Sequence, residues 1–365
     1  MKFGLFNLVQ RRDPGLPPEL TLKQLVDEVT LSEEVGMDVA WVAEHHFSNY
    51  GLSASPLMTL LWLAGKTKRI RLAPGVLVLP FYHPMRLVQE FGLANLFTND
   101  RIDFGFGVGY QHFEFERFGV TLADAGDRTV EFMEIVHQAI ERGEVDFQGK
   151  FYDIAPTGMV SPPKAMPTVY LAAALNHPRL PRLVVQRGYV PMVSPAWNPF
   201  ELVLKHRRFY DNLASEEGVD PASTPFALMR FVHVTNSKED GRKAAEALRY
   251  STRIATATRF NYAEFDNSFA QEVPAENEPS LEQIVANAVI GDVATCIDKM
   301  TAEIQATRAT HYAFMMNVGG LDPAAVKRSI QVLGEDVLPE VKKNLGLGGG
   351  TVTALGRPGG SRLAN

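Results

Sequence analysis

The feature that most constrains this chain is an alternation. From residue 1 to residue 110, short apolar runs rich in strand-forming residues trade places with amphipathic helical stretches, at the spacing of about 30 residues that a βαβ unit occupies. Strand and helix repeating in that way pack as right-handed βα crossovers, with a parallel sheet inside and helices outside. The opening run Met1-Lys2-Phe3-Gly4-Leu5-Phe6-Asn7 reads as a first core strand. A proline-rich loop covers 16–20, Thr21 is the expected N-cap of the first helix, and Gly36 its stop. Strand 38–42, helix 56–67, a third strand from 70 that runs into Gly75-Val76-Leu77-Val78-Leu79-Pro80, helix 86–97 and strand 102–108 follow. Beyond helix 127–141 comes a rim excursion at 145–167. Strands at 168–173, 189–193, 226–234 and 311–316 then alternate with helices at 180–186, 201–213, 238–250, 292–307 and 323–345. The expectation is an α/β fold, a (β/α)₈ TIM barrel with rim insertions, as one domain over 1–345. A flexible glycine-rich tail is expected over 346–365. The pattern is weakest over 251–282, where Phe260, Tyr262, Phe265 and Phe269 are scattered among Asn, Glu and Pro. A long insertion with little secondary structure in a compact domain is usually functional, so this stretch is expected to be a mobile lid.

Composition narrows the partners. With 45% hydrophobic and 21% charged residues the chain is neither disordered nor fibrous. A net charge of −6 argues against a nucleic acid or an anionic membrane surface, either of which wants a concentrated basic face. No apolar stretch is long enough to span a membrane, and the N-terminus reads as a strand rather than a secretory segment, so a soluble, cytoplasmic protein is expected. Cys296 is the only cysteine, which rules out an intramolecular disulfide or a multi-cysteine metal cluster.

Chemistry concentrates in Trp41-Val42-Ala43-Glu44-His45-His46-Phe47, where a strand ends in a carboxylate, two imidazoles and an aromatic ring. Carboxyl ends of parallel strands are where active sites of such folds lie. A carboxylate beside an imidazole sets its tautomer and basicity. A metal-dependent hydrolase built from Glu44, His45, His46, His83, His177 and His311 is the obvious competitor. Adjacent residues of an extended segment point to opposite sides, however, so His45 and His46 would rarely share an ion, and no metal is expected. Gly105, Gly107 and Gly109 alternate in the fourth unit. They either let a flat ring or phosphate approach the backbone or serve close packing, and both readings stay open.

Met1-Lys2-Phe3-Gly4, Trp41 to Phe47, Val78-Leu79-Pro80 with His83-Pro84, and Arg101-Ile102-Asp103-Phe104-Gly105 occur in an order that resembles the bacterial luciferase-like flavin-dependent monooxygenases. Val169-Tyr170-Leu171-Ala172-Ala173, Val289-Ile290-Gly291-Asp292 and Asp336-Val337-Leu338-Pro339 extend the resemblance over nearly the whole chain. It implies a two-component monooxygenase that takes FMN as FMNH₂ from a separate flavin reductase, uses O₂ as co-substrate through a C4a-peroxyflavin, and oxygenates a small, largely apolar substrate. It favours a homodimer. His45 takes the place of the family's active-site histidine, Glu44 is expected to position it, and His46 to face packing. Gly75-Val76 falls where a non-prolyl cis peptide lies against the flavin. The cofactor-binding set expected is Gly75, Val76, Gly107, Gly109, Tyr110, Gln111, Asn176, His177 and Ser194. Val108 stands where relatives carry a phosphate-binding arginine, so Asn176, His177 and the amides of the following helix are expected to replace it. Phe6, Phe47, Tyr110 and Trp197 are the expected substrate pocket or, equally, core. The alternatives are a deazaflavin (F420)-dependent oxidoreductase and a non-catalytic partner subunit.

Overall fold

The computed structural model describes residues 1–161, 166–172 and 175–347. Eight parallel strands close on themselves: β1 (Lys2–Asn7), β2 (Val39–Val42), β3 (Arg71–Pro74), β4 (Phe104–Gly107), β5 (Val169–Ala172), β6 (Val190–Val193), β7 (Ala227–Val234) and β8 (His311–Met315). Neighbours pair in chain order, and β8 closes on β1 with Lys2 opposite His311 and Phe6 opposite Met315. Between β3 and β4 the ladder is carried by a Leu72–Ile102 bridge and by Leu77-Val78 against Phe106-Gly107. Val289–Gly291 adds to the carboxyl end of β7.

The period-two rule sorts the strand residues into two cores. Phe6, Val39, Trp41, Ala73, Tyr170, Val190, Met192, Ala227 and Phe231 fill the barrel. Phe3, Leu5, Ala40, Val42, Leu72, Phe104, Phe106 and Leu171 face the helices instead. Inside, Trp41 meets Tyr170 edge to face at 5.4 Å. At the amino-terminal end, Arg71 and Asp103 form a two-pronged ion pair at 2.6 and 2.9 Å. Glycine at 105 is dictated by this geometry, since a Cβ there would stand 1.8 Å from the carbonyl oxygen of Pro74.

The helices are α1 (Pro18–Glu34), α2 (Pro56–Ala64), α3 (Pro84–Thr98), α4 (His112–Phe118), α5 (Ala125–Arg142), α6 (Leu180–Arg187), α7 (Glu201–Glu216), α8 (Lys238–Arg259), α9 (Leu281–Asn287), α10 (Val293–Thr307), α11 (Pro323–Val332) and α12 (Leu338–Asn344). Four expectations are corrected. Thr21 lies inside α1, which starts at Pro18 because proline at the first helical position loses no hydrogen bond. The excursion at 145–167 holds a hairpin, Glu144–Gln148 with Asp153–Gly158. The single helix expected over 323–345 is interrupted by a π-turn at Leu333–Val337, where Gly334 lies so close to Val35 that a Cβ would clash at 2.3 Å. Most consequential for the site, α8 runs nine residues past the expected end, into the presumed lid. Its hydroxyls mimic a loop in sequence, yet those of Thr252, Thr256 and Thr258 each bond the carbonyl four residues back. The expected tail lies outside the described residues from 348 onward, as do Ala173 and Ala174.

A buried polar cluster between β7, β8 and α10 contributes to stability. Arg230 donates to both carboxylate oxygens of Glu303, at 2.8 and 3.1 Å, and to the carbonyl of Asn287. The Tyr312 hydroxyl donates to Glu303 at 2.7 Å.

Candidate functional site

The stretch that leaves the carboxyl end of β2 carries Glu44, His45 and His46, and their side chains go to different partners. Glu44 and His46, two apart, fall on the same side, with His46 Nε2 and Glu44 Oε1 2.8 Å apart. The other carboxylate oxygen accepts the Val78 amide at 3.0 Å and the Tyr82 hydroxyl at 2.9 Å. Burial raises the Glu44 pKa, and the contact with His46 opposes it. Glu44 therefore holds His46 and the segment after β3 that carries Val78 and Tyr82, and the expected Glu44–His45 pair is corrected. The ring of His46 is packed among Phe81, Phe118 and Phe47, with centroids 4.7 to 5.7 Å away.

His45 faces the other way. Its Nδ1 lies 3.3 Å from Oε1 of Glu114 and 3.1 Å from Nε2 of Gln111. The same Glu114 oxygen accepts the backbone N–H of His46 at 2.8 Å, which fixes the carboxylate. Tyr50 stands edge-on to His45 at 4.6 Å and Tyr110 at 5.9 Å. The hydroxyls of Tyr50 and Tyr110 are hydrogen-bonded to each other. Burial raises both phenol pKa values, so both remain protonated donors. Close approach of Gly51 completes the enclosure, since a Cβ there would meet that of His45 at 2.9 Å.

This arrangement suits proton transfer. With Nδ1–H donated to Glu114, the Nε2 lone pair is a base; with Nδ1 accepting from Gln111, Nε2–H is an acid. Nδ1 is partnered in either tautomer, so a proton can come and go at Nε2 without orphaning a buried group.

Glu114 and Tyr50 were not legible as site residues. Glu114 lies in α4, a seven-residue helix too short to declare a period. The signal that stood there is a lone carboxylate between Phe113 and Phe115.

The remaining expected residues divide. The Gly75–Val76 peptide is cis. Phe6 packs directly beneath it, a Cβ on Gly75 meeting the Phe6 ring at 2.9 Å. A Cβ on Gly107 would strike Val76 at 2.4 Å, and one on Gly109, at φ 77°, would strike Val78 and Phe115 at 2.7 Å. The alternating glycines are thus explained by close approach of the β3 extension to β4. Gln111 is fully buried, with its amide oxygen unpartnered. Phe47, at φ 60° and half exposed, packs on Phe118 at 5.2 Å and joins the His46 side, apart from His45, because its backbone turns there. Trp197 is buried beyond β6, its carbonyl accepting from Asn287. Ser194 closes a local turn, accepting the Ala196 amide at 3.2 Å.

Asn176 is exposed, while His177 Nε2 pairs with Asp127 at 3.2 Å. His177 Nδ1 accepts the amides of Arg179 and Leu180 at 3.3 and 3.2 Å, so the start of α6 already has an acceptor. His311 sits at the amino end of β8, where burial lowers its pKa to about 4. His83, exposed, precedes α3. Among the described residues no three of His, Cys, Asp and Glu stand together as a metal site.

The stretch expected as a lid covers this site. After α8, a short hairpin pairs Phe265-Asp266 with Phe269-Ala270. Asn49, buried, ties it down by donating its amide N–H to Ser268 and accepting the Ala270 amide, and its side chain also donates to Arg11 and Tyr250. Phe265 rests on Phe113 at 4.9 Å. Arg12 bridges Glu246 and Glu272, and Arg253 bridges Glu272 and Glu278.

Comparison with known proteins agrees with this architecture. The oxygenase component of flavin-dependent trigonelline monooxygenase from Acinetobacter baylyi is 28% identical, over 93% of this chain and 95% of that one. Two solved structures share the fold. The oxygenating constituent of 3,6-diketocamphane monooxygenase from Pseudomonas putida, in complex with FMN, superposes with a TM-score of 0.75 at 20% identity, covering 93% of this chain and 98% of that one. An F420-dependent secondary alcohol dehydrogenase superposes with a TM-score of 0.71 at 20% identity, covering 93% and 98%. The model of the luciferase-like monooxygenases matches residues 1–311, and the chain belongs to that family.

Proposed function

We propose that this protein is the oxygenase of a two-component system, using reduced FMN from a separate reductase and O₂ to oxygenate a small organic molecule. The observation that carries the reading is the His45–Glu114–Gln111 cluster, a proton-transfer centre beneath a tied-down cover at the carboxyl end of the barrel. The residues fit a flavin. The unpartnered amide oxygen of Gln111 wants an N–H donor, which an isoalloxazine ring offers, and the Gly75-Val76 segment with Gly107, Gly109 and Tyr110 would form the adjoining wall. When bound, the reduced flavin supplies the two electrons that take one oxygen atom of O₂ to water while the other enters the substrate.

The chain's own contribution is proton management and exclusion of water. His45 Nε2 takes up or releases the proton while Glu114 and Gln111 hold Nδ1. The hydroxyls of Tyr50 and Tyr110 offer donors for developing oxyanion charge. Asn49 and the hairpin over it keep bulk water from the reacting groups.

The test is an anaerobic titration with photoreduced FMN, and in parallel with the reduced deazaflavin, followed by admission of ¹⁸O₂ with a reductase-coupled substrate panel. Saturable binding of reduced FMN and a product carrying one ¹⁸O are expected. Binding of the deazaflavin alone would replace the monooxygenase reading with that of an F420-dependent oxidoreductase.

A homodimer is part of the proposal. Met58 and Trp62 on α2, and Leu93, Leu96 and Phe97 on the neighbouring α3, are exposed apolar side chains on adjoining helices, Met58 at 73% and Phe97 at 67%. An apolar patch of that kind is ordinarily covered by a partner. Light scattering after gel filtration should give a dimer for the wild type and a monomer for Met58→Glu/Phe97→Glu; a wild-type monomer at micromolar concentration rejects it.

A further inference from the structure

Beside the site stands a cation that, among the described residues, has no carboxylate partner. Arg259, the last residue of α8, lies with its guanidinium 4.4 Å from the centre of the Tyr110 ring. Its neighbours in the cover are spoken for, Arg12 by Glu246 and Glu272, and Arg253 by Glu272 and Glu278. Among the described residues Arg259 has neither an ion pair nor a hydrogen bond, and its side chain is exposed. The contact with Tyr110 is a cation–π one and takes up none of the five guanidinium N–H groups in a hydrogen bond, which leaves the fork that matches a carboxylate or a phosphate. Tyr110 is itself bound into the catalytic cluster through Tyr50, Gln111 and the ring of His45, so the fork stands at a defined place beside it.

Among the described residues, the other side of the barrel mouth is less free to do the same work. Position 108 is a valine, the amides that open α6 are taken by His177, and His177 is paired with the negative charge of Asp127. An anionic group entering the mouth would meet a carboxylate there and a free cation at Arg259.

We propose that Arg259 is the anchor for an oxyanion of a bound molecule, either the carboxylate of an otherwise apolar substrate or the phosphate of the flavin. The proposal rests on the oxygenase reading above for the identity of the site, and its test separates the two. Reduced FMN, reduced riboflavin, benzoate and benzyl alcohol are titrated anaerobically into the wild type, Arg259→Ala and Arg259→Lys. Arg259 is exposed at a helix end, so the variants should fold, which circular dichroism checks.

If the phosphate is the ligand, Arg259→Ala weakens reduced FMN at least tenfold and leaves reduced riboflavin unchanged. If a substrate carboxylate is the ligand, both flavins bind as before and benzoate weakens at least tenfold, with benzyl alcohol unchanged. Arg259→Lys should recover part of either loss, since it keeps the charge and gives up the fork. Unchanged affinity for every probe overturns the proposal, and so does a wild type that binds neither reduced FMN nor benzoate. A wild type that binds benzoate through Arg259 but no reduced flavin upholds the anchor and sinks the oxygenase reading instead.

Discussion

His45→Ala should lower turnover by about 10²–10⁴-fold, the span that a positioned acid–base group contributes. Glu114→Gln should lose about 10²-fold while substrate KM changes little, because the carboxylate acts through His45. Glutamine keeps the size of the side chain but removes the charge and competes, as a donor, with the proton on Nδ1. His46→Ala is the informative control: it empties a slot between Phe81 and Phe118 and leaves Glu44 short of a partner, so it should cost stability far more than turnover per folded molecule. Steady-state rates on the substrate found by the reductase-coupled panel, each normalised to folded protein, give the comparison. Added imidazole should restore part of the activity of His45→Ala and none of any loss in His46→Ala. Equal losses for the two histidine variants, without rescue, would remove His45 from the mechanism.

Glu303→Ala should destabilise the fold by about 3–5 kcal/mol, because it strands the fully buried guanidinium of Arg230. One guanidinium nitrogen of Arg230 is already unpartnered, and the Tyr312 hydroxyl would lose its acceptor as well. The double substitution Arg230→Met/Glu303→Leu removes the charges together and should recover most of the loss, since burying an ion pair gains little over apolar packing of similar volume. Urea denaturation of the two variants beside the wild type measures this. A single substitution as mild as the double one would show that the pair is hydrated rather than buried.

How much of this was visible beforehand differs by element. The eight strands follow from the period of the apolar runs, since strands buried on both faces leave a strong local mark. The partner of His45 left none. Glu114 is 69 residues away and reaches His45 only because β4 lies two strands from β2 in the closed barrel. The Glu44–His46 pair was within reach, because the alternation that separates His45 from His46 also puts Glu44 and His46 on one side. Helix α8 misled for a different reason. Threonines that bond their own helix look, one residue at a time, like a polar loop, and only burial of Thr252 and Thr258 distinguishes the two.

The alternation at the end of β2 also limits how this segment can change over generations. Inserting or deleting one residue between Val42 and His46 would exchange the two faces, sending an imidazole meant for the phenylalanine cluster toward Glu114 and the other away from it. Two-residue changes would preserve the faces but lose the register with Val78 and Gln111. Among descendants of this gene the five residues from Val42 to His46 should therefore remain five.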